Sequence, residues 1–283
     1  MIGDAGYMAL AEREGFERVT PERVRQVLRP TKPLWILLAI EPIATRLVVV
    51  IANRTSITPL FLTLSGFAVS LVAAALFFTG DYVLMAVAAL LYQWVFVSDA
   101  MDGTLARLKG NGSILALNMD LFLDNWRLFF GVMGLVYGQY RITGSVDFLL
   151  WGIAFLTISL VEWQIPRTMA KVHQAYEEYY APKLGPVDYK VLRLQDWLAK
   201  RKLKVIWFNI HERETLVLLV GPLTGLILPM LAVSTALTLV FFGLRIYFDS
   251  VLIRQELLSG EKQYLGHTAT IYGEVGVESG KET

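Results

Sequence analysis

The sequence predicts an all-α, polytopic membrane protein: six transmembrane helices preceded by an N-terminal interfacial amphipathic helix. Three observations carry that reading. Of the 283 residues, 55% are hydrophobic and only 18% are charged, where a soluble domain carries about a quarter. Several apolar runs reach the ~20 residues that a helix needs to cross a bilayer. Lys and Arg residues also fall on alternate connections, the sorting that membrane insertion imposes.

Residues 1–33 form a polar arm. Its opening "MIGDAGYMALAEREGFERV" mixes acids with bases and lacks the basic-then-apolar order of a secretory signal. Residues 34–53 are apolar, but Glu41, Pro42 and Arg46 interrupt them. Two charges and a helix breaker are costly at mid-membrane. This segment is therefore expected to lie on the membrane surface, with a kinked span as the alternative. The first span is expected at 57–79, where Thr58-Pro59 suits a helix N-terminus. The second and third, 82–108 and 113–140, are longer than the hydrocarbon requires, so their inner ends should project from it. The remaining spans are expected at about 146–170, 214–232 and 234–257. A polar insertion, 171–213, separates the fourth from the fifth and should contain a surface helix around 187–204. The membrane domain thus covers 34–257, and 258–283 is a polar tail.

The 80–81 connection and the turn near 233 hold no Lys or Arg, and 141–145 holds only Arg141. The opposite side collects the N-terminal arm, Arg107, Lys109, the "KRKLK" of the insertion and the tail. By the positive-inside rule, both termini and the turn after Lys109 are cytoplasmic. N-x-S/T matches at Asn53 and Asn111 fall on that side and read as chance. "KRKLK", with Trp197 and Trp207, reads as an anchor to anionic lipid. A net charge of +1 gives no electrostatic reason for a nucleic-acid partner. The absence of cysteine excludes disulfides, thiolate catalysis and Cys metal sites. His173, His211 and His267 show no metal-ligand spacing.

The most informative stretch is "SDAMDGTLARLKGNGSILALNMDLFLD", residues 98–124. Asp99 and Asp102 are three apart, and Asp120 and Asp124 four apart, so each pair shares one helix face. Gly110, Asn111 and Gly112 between them read as a tight turn. Two antiparallel helices therefore carry four carboxylates to one cytoplasmic end. At roughly 2.5–3.5 kcal/mol per acid near the bilayer centre, an unassisted cluster costs on the order of 10 kcal/mol. An interfacial location, protonation or cations would relieve that cost. Carboxylate oxygens suit Mg²⁺, Mn²⁺ or Ca²⁺, and two divalent ions balance four carboxylates. Gly103 and Ala106 are small and leave room beside the first pair. Arg107 follows, and a metal pair with an arginine nearby suits a diphosphate.

Asp99-x-x-Asp102-Gly103-x-x-Ala106-Arg107, eight residues, then Ala116-x-x-x-Asp120-x-x-x-Asp124 resembles the signature of the CDP-alcohol phosphotransferases, D-x-x-D-G-x-x-A-R-x8-G-x3-D-x3-D. Ala116 stands where the family has Gly. "ITPLFLT" is similar to the family's T-P-N-x-x-T, with Leu60 for Asn. The resemblance covers roughly residues 35–257. It implies that Asp99, Asp102, Asp120 and Asp124 bind two divalent cations, Mg²⁺ or Mn²⁺. It implies that Asp99, Asp102, Gly103, Ala106 and Arg107 bind the nucleotide of a CDP-alcohol, with CDP-diacylglycerol the expected donor. Asp124 would be the general base for an acceptor hydroxyl, and CMP would leave. A methyl at Ala116 is expected to shift donor geometry, and Leu60 removes a polar group near the site. Family members are commonly homodimers, so a homodimer is expected.

Arg127 shares the face of Asp120 and Asp124 and is a candidate for acceptor binding or for a structural ion pair. Arg167 and Arg213 are further acceptor candidates, against the plainer reading of arginines reaching the interface. Arg245 has the same ambiguity, and Glu162 is expected to pair with one of these arginines. Two other functions are weighed. Membrane prenyltransferases of the UbiA type also use Asp pairs, Mg²⁺ and a diphosphate donor, but their two motifs lie far apart in sequence. A cation or proton transporter would hold its acids at mid-membrane on broken helices, whereas these lie at helix ends beside a glycine turn.

Overall fold

A computed structural model describes residues 18–28, 33–110, 114–162 and 210–259. All regular elements among them are helices. The short α1, Pro21–Gln26, starts at Thr20, whose hydroxyl accepts from Arg23 N at 3.3 Å. It is followed by α2, Ile36–Arg54, then α3, Pro59–Phe78, and α4, Tyr82–Lys109. Next come α5, Ile114–Thr143, and α6, over 147–162. The seventh helix, α7, runs without a break through Ile210–Thr215, Leu216–Val220 and Gly221–Thr224, and α8 is Ile227–Ser259.

Local chemistry sets these boundaries. Thr58 accepts from Phe61 N at 3.2 Å and caps α3, with Pro59 in its first turn, as expected. Asp81 accepts from Leu84 N at 3.0 Å and caps α4. Gly110 ends α4 at φ 61°, a left-handed conformation that favours glycine. Pro42 and Pro222, which lie within continuous helical runs, are each preceded by a widened turn. Ile36–Ile40 precedes Pro42, and Leu216–Val220 precedes Pro222. Proline lacks an N–H, and its ring clashes with the carbonyl four residues back. The i→i+5 bonds Glu41 N→Ile36 O and Gly221 N→Leu216 O let each helix continue.

The core lies where α3 packs on both α4 and α5. Gly134 and Gly138, one turn apart on α5, face the carbonyls of Ala74 and Phe77 so closely that neither position has room for a Cβ. Phe77, Tyr92, Phe96, Leu135 and Leu218 are fully buried around this crossing. Outward faces are apolar instead of polar: Val83, Leu90, Leu150 and Val240 are all more than half exposed, the pattern of a surface that meets lipid. Among the described residues, four helices are long and apolar enough to cross a membrane: Ile36–Arg54, Pro59–Phe78, Tyr82–Lys109 and Ile227–Tyr247.

Two expectations meet different outcomes. Ile36–Arg54 has the length and composition of a span despite its charges and proline. It lies beside α4 from its middle to its C-terminal end: just before it the Trp35 indole donates to Gln93 at 2.8 Å, and just after it the Ile57 carbonyl accepts from Lys109 at 3.0 Å. The expected turn near 233 is a correction. The chain turns instead at Gly225, φ 74°, and α8 is already helical through 227–259. "GPLTGLILPM" has no charged residue to mark a boundary, so hydropathy misses a turn that one left-handed glycine makes. Residues 163–209, which hold Arg167, most of the polar insertion and its expected surface helix, lie outside the described residues, as does 260–283.

Candidate functional site

The site forms where α3, α4 and α5 meet. Gly66 of α3 lies against Ser98 of α4: a Cβ there would stand 3.2 Å from the Ser98 hydroxyl, which donates to the Leu62 carbonyl at 3.0 Å. That close approach lets the Thr63 hydroxyl donate to Asp102 Oδ2 at 2.6 Å. Asp102 is 5% exposed and within electrostatic reach of Asp99, Asp120 and Asp124. Asp99 comes from α4, and Asp120 and Asp124 from α5. One oxygen of each lies within 4.8 Å of the others. The cavity between them is lined by all four aspartates, with Thr63, Ser98 and Arg127 among its other walls. It offers about 20 Å³, room for a water-sized species.

Arg127, 5% exposed, forms the cavity's inner wall. Its Nη1 is 3.1 Å from Asp124 Oδ1 and its Nη2 3.9 Å from Glu214 Oε2. The guanidinium lies 5.3 Å from the Phe96 ring centre and 6.0 Å from that of Tyr92. The Tyr92 hydroxyl donates to Glu214 Oε2 at 2.9 Å. A second charged cluster occupies the neighbouring helices. Glu162 of α6 pairs with Arg213 of α7 and, at 3.6 Å, with Arg245 of α8. Arg213 also donates to Thr238 at 3.5 Å.

The four expected aspartates thus converge, together with Arg127. Gly103, Ala106 and Arg107 lie further along α4 than the cavity's lining. Gly103 faces Arg107, whose Nε donates to the Val27 carbonyl at 2.7 Å. Arg213, expected as an acceptor ligand, instead faces Glu162, and the expected pairing of Glu162 with an arginine is present twice. Asn53 belongs to a side-chain clamp on Val19, accepting from its N–H at 3.0 Å and donating to its carbonyl at 2.8 Å. Sequence reasoning missed Thr63, Tyr92 and Glu214. Glu214 carries the one usable signal, a second acid inside "HERETLVLLV" at the edge of an apolar run.

Three carboxylates from two helices, with a fourth beside them, form an all-oxygen donor set. That set fits a hard divalent cation such as Mg²⁺ or Mn²⁺ and does not suit a soft metal. Among the described residues, one guanidinium lines the cavity together with the four acids. No family model matches the chain, and no curated protein matches it.

Proposed function

We propose that this protein is an integral-membrane CDP-alcohol phosphotransferase, moving a phosphoalcohol group from a CDP-alcohol to an acceptor hydroxyl and releasing CMP. The observation that carries the reading is the convergence of Asp99, Asp120 and Asp124 within 4.8 Å. These are acids of the sequence pattern that resembles this family. The membrane domain in this reading has six spans with a surface-lying N-terminal segment, and the site and both termini face the cytoplasm. The donor in this reading is CDP-diacylglycerol, a lipid whose diphosphate would reach aspartates placed near the ends of membrane-crossing helices. The partners are this donor, the acceptor alcohol, the bilayer and a second copy of the chain.

Asp99, Asp102, Asp120 and Asp124 would hold two divalent cations. When bound, these supply positive charge to the oxygens on which negative charge develops. Asp124 takes the proton of the acceptor hydroxyl. That oxygen forms a bond to the β-phosphorus, and the bond from the β-phosphorus to the bridging oxygen breaks, so CMP leaves with the electron pair. Arg127, 3.1 Å from Asp124, fixes the direction in which that carboxylate presents its oxygens. Thr63 does the same for Asp102 through its 2.6 Å bond. Gly103, Ala106 and Arg107 extend the site along α4 toward the nucleotide.

Purified protein with Mg²⁺ is expected to release CMP only when CDP-diacylglycerol and an acceptor are both present, and a panel of alcohols identifies the acceptor. Asp124→Asn should lower turnover by about 10²–10⁴-fold with nucleotide binding retained. Undiminished turnover in that variant removes Asp124 from its role. A wild type that releases no CMP from any CDP-alcohol overturns the reading.

A further inference from the structure

Glu214 is 1% exposed and stands on α7, a helix that supplies no aspartate to the cavity. Burying a carboxylate so completely is costly unless something holds its charge. Two groups do. The Tyr92 hydroxyl donates to Oε2 at 2.9 Å, and the Arg127 guanidinium lies 3.9 Å from the same oxygen. Oε1 has no hydrogen-bond partner. Arg127 in turn reaches Asp124 at 3.1 Å. The order in space is Tyr92, Glu214, Arg127, Asp124, a chain from α4 through α7 to α5 that ends on a wall of the aspartate cavity. The widened turn at Leu216–Val220 directly follows. It lets α7 continue past Pro222 while its first turn keeps Arg213 toward Glu162 and Glu214 toward Arg127.

Arg127 by itself would compete with cations for the Asp124 carboxylate, because a guanidinium held against a carboxylate occupies the oxygens a metal needs. We propose that Glu214 is a positioning residue for the divalent-cation site: it shares the charge and direction of Arg127, so that the four aspartates keep their full charge for two cations. This rests on the metal-dependent reading above and adds a residue outside the sequence pattern that supports it. The buried outer partners of metal-ligating side chains orient the ligands and tune their affinity, and their removal costs about 10–100-fold in metal binding. Here the outer partner is a two-step one, acting through a guanidinium.

The test is Mn²⁺ binding to the purified full-length chain, read by electron paramagnetic resonance or calorimetry without any donor, alongside thermal unfolding. Glu214→Gln should weaken Mn²⁺ binding by about 10–100-fold, since Arg127 then turns wholly onto Asp124. The double variant Arg127→Gln/Glu214→Gln should bind more tightly than Glu214→Gln, because the competing cation is gone. A packing role for Glu214 predicts the opposite, losses that add. Should Glu214→Gln fail to fold, Tyr92→Phe removes only the hydroxyl that holds Glu214, and a several-fold loss of Mn²⁺ affinity is expected. Wild-type affinity in folded Glu214→Gln or in Tyr92→Phe, or a double variant weaker than Glu214→Gln, overturns the assignment. A wild type that binds no Mn²⁺ overturns the metal-dependent reading itself.

Discussion

Around Glu162, arginines from α7 and α8 converge on one carboxylate. Around Asp124, four carboxylates from α4 and α5 line one cavity with, among the described residues, a single guanidinium. The two clusters both lie within the helical bundle and meet at consecutive residues of α7, Arg213 and Glu214. Yet they face opposite electrostatic problems. The first sets two guanidiniums on one carboxylate, opposite charges in direct contact, and its pairs tie α6, α7 and α8 together. In the second, like charges lie within 4.8 Å of one another, an arrangement that repels itself until positive charge arrives. A cluster that sets opposite charges in contact serves structure. One that leaves a large surplus of a single sign, converging on a cavity, points to a ligand of the other sign.

The sharpest way to break this comparison is to neutralise one acid in each cluster. Glu162→Gln leaves Arg213 and Arg245 buried without their partner. Removing one member of a buried pair costs about 3–5 kcal/mol, so the variant should unfold well below the wild type in detergent. Asp99→Asn, in chelator-treated protein, should instead raise the unfolding temperature, because it relieves repulsion among carboxylates held within 4.8 Å of one another. If both variants shift stability in the same direction, the contrast between a structural and a ligand-seeking cluster is lost.

Next in size is the response to cations. A ligand that binds only the folded state stabilises by about 2.7 kcal/mol at a concentration 100 times its Kd. Mg²⁺ or Mn²⁺ should therefore raise the wild-type unfolding temperature. Glu162→Gln should show the same rise from its lower starting point. Asp99→Asn and Asp124→Asn should show little of it. A shift that survives in the aspartate variants would place the responsible cation elsewhere.

How much of this was legible beforehand depends on range. The aspartate pairs were readable because their spacing of three and four encodes a helix face within the local sequence, and the glycine turn dictates that the two faces meet. Thr58-Pro59 marked the start of α3 for the same local reason. Glu162 could be assigned an arginine partner because a charge at that depth needs one. Glu214 could not be assigned to Arg127, since 87 positions of sequence separate residues 127 and 214 and only the bundle's packing joins them. The turn at Gly225 was missed because its surroundings carry no charge, and hydropathy carries no boundary where lipid and core ask for the same residues.

The smallest expected effect belongs to Thr63, and it separates two readings of Asp102. This aspartate lies beside the other three, 5% exposed, with the Thr63 hydroxyl donating to it at 2.6 Å. Thr63→Val keeps the shape and β-branching of the side chain and deletes only the hydroxyl. If Asp102 is a fixed part of the cation site, the variant should lose about 1.5 kcal/mol of stability, the scale of a hydrogen bond to a charged group. It should also lose roughly tenfold in Mn²⁺ affinity, because a freed carboxylate reorients. If Asp102 belongs only to the α3–α4 contact, the stability loss should appear while Mn²⁺ affinity stays at the wild-type value. Leu62, Gly66 and Ser98 already hold α3 against α4 without Thr63, so the helices should stay in place. A change in affinity therefore reports the carboxylate and not a displaced helix.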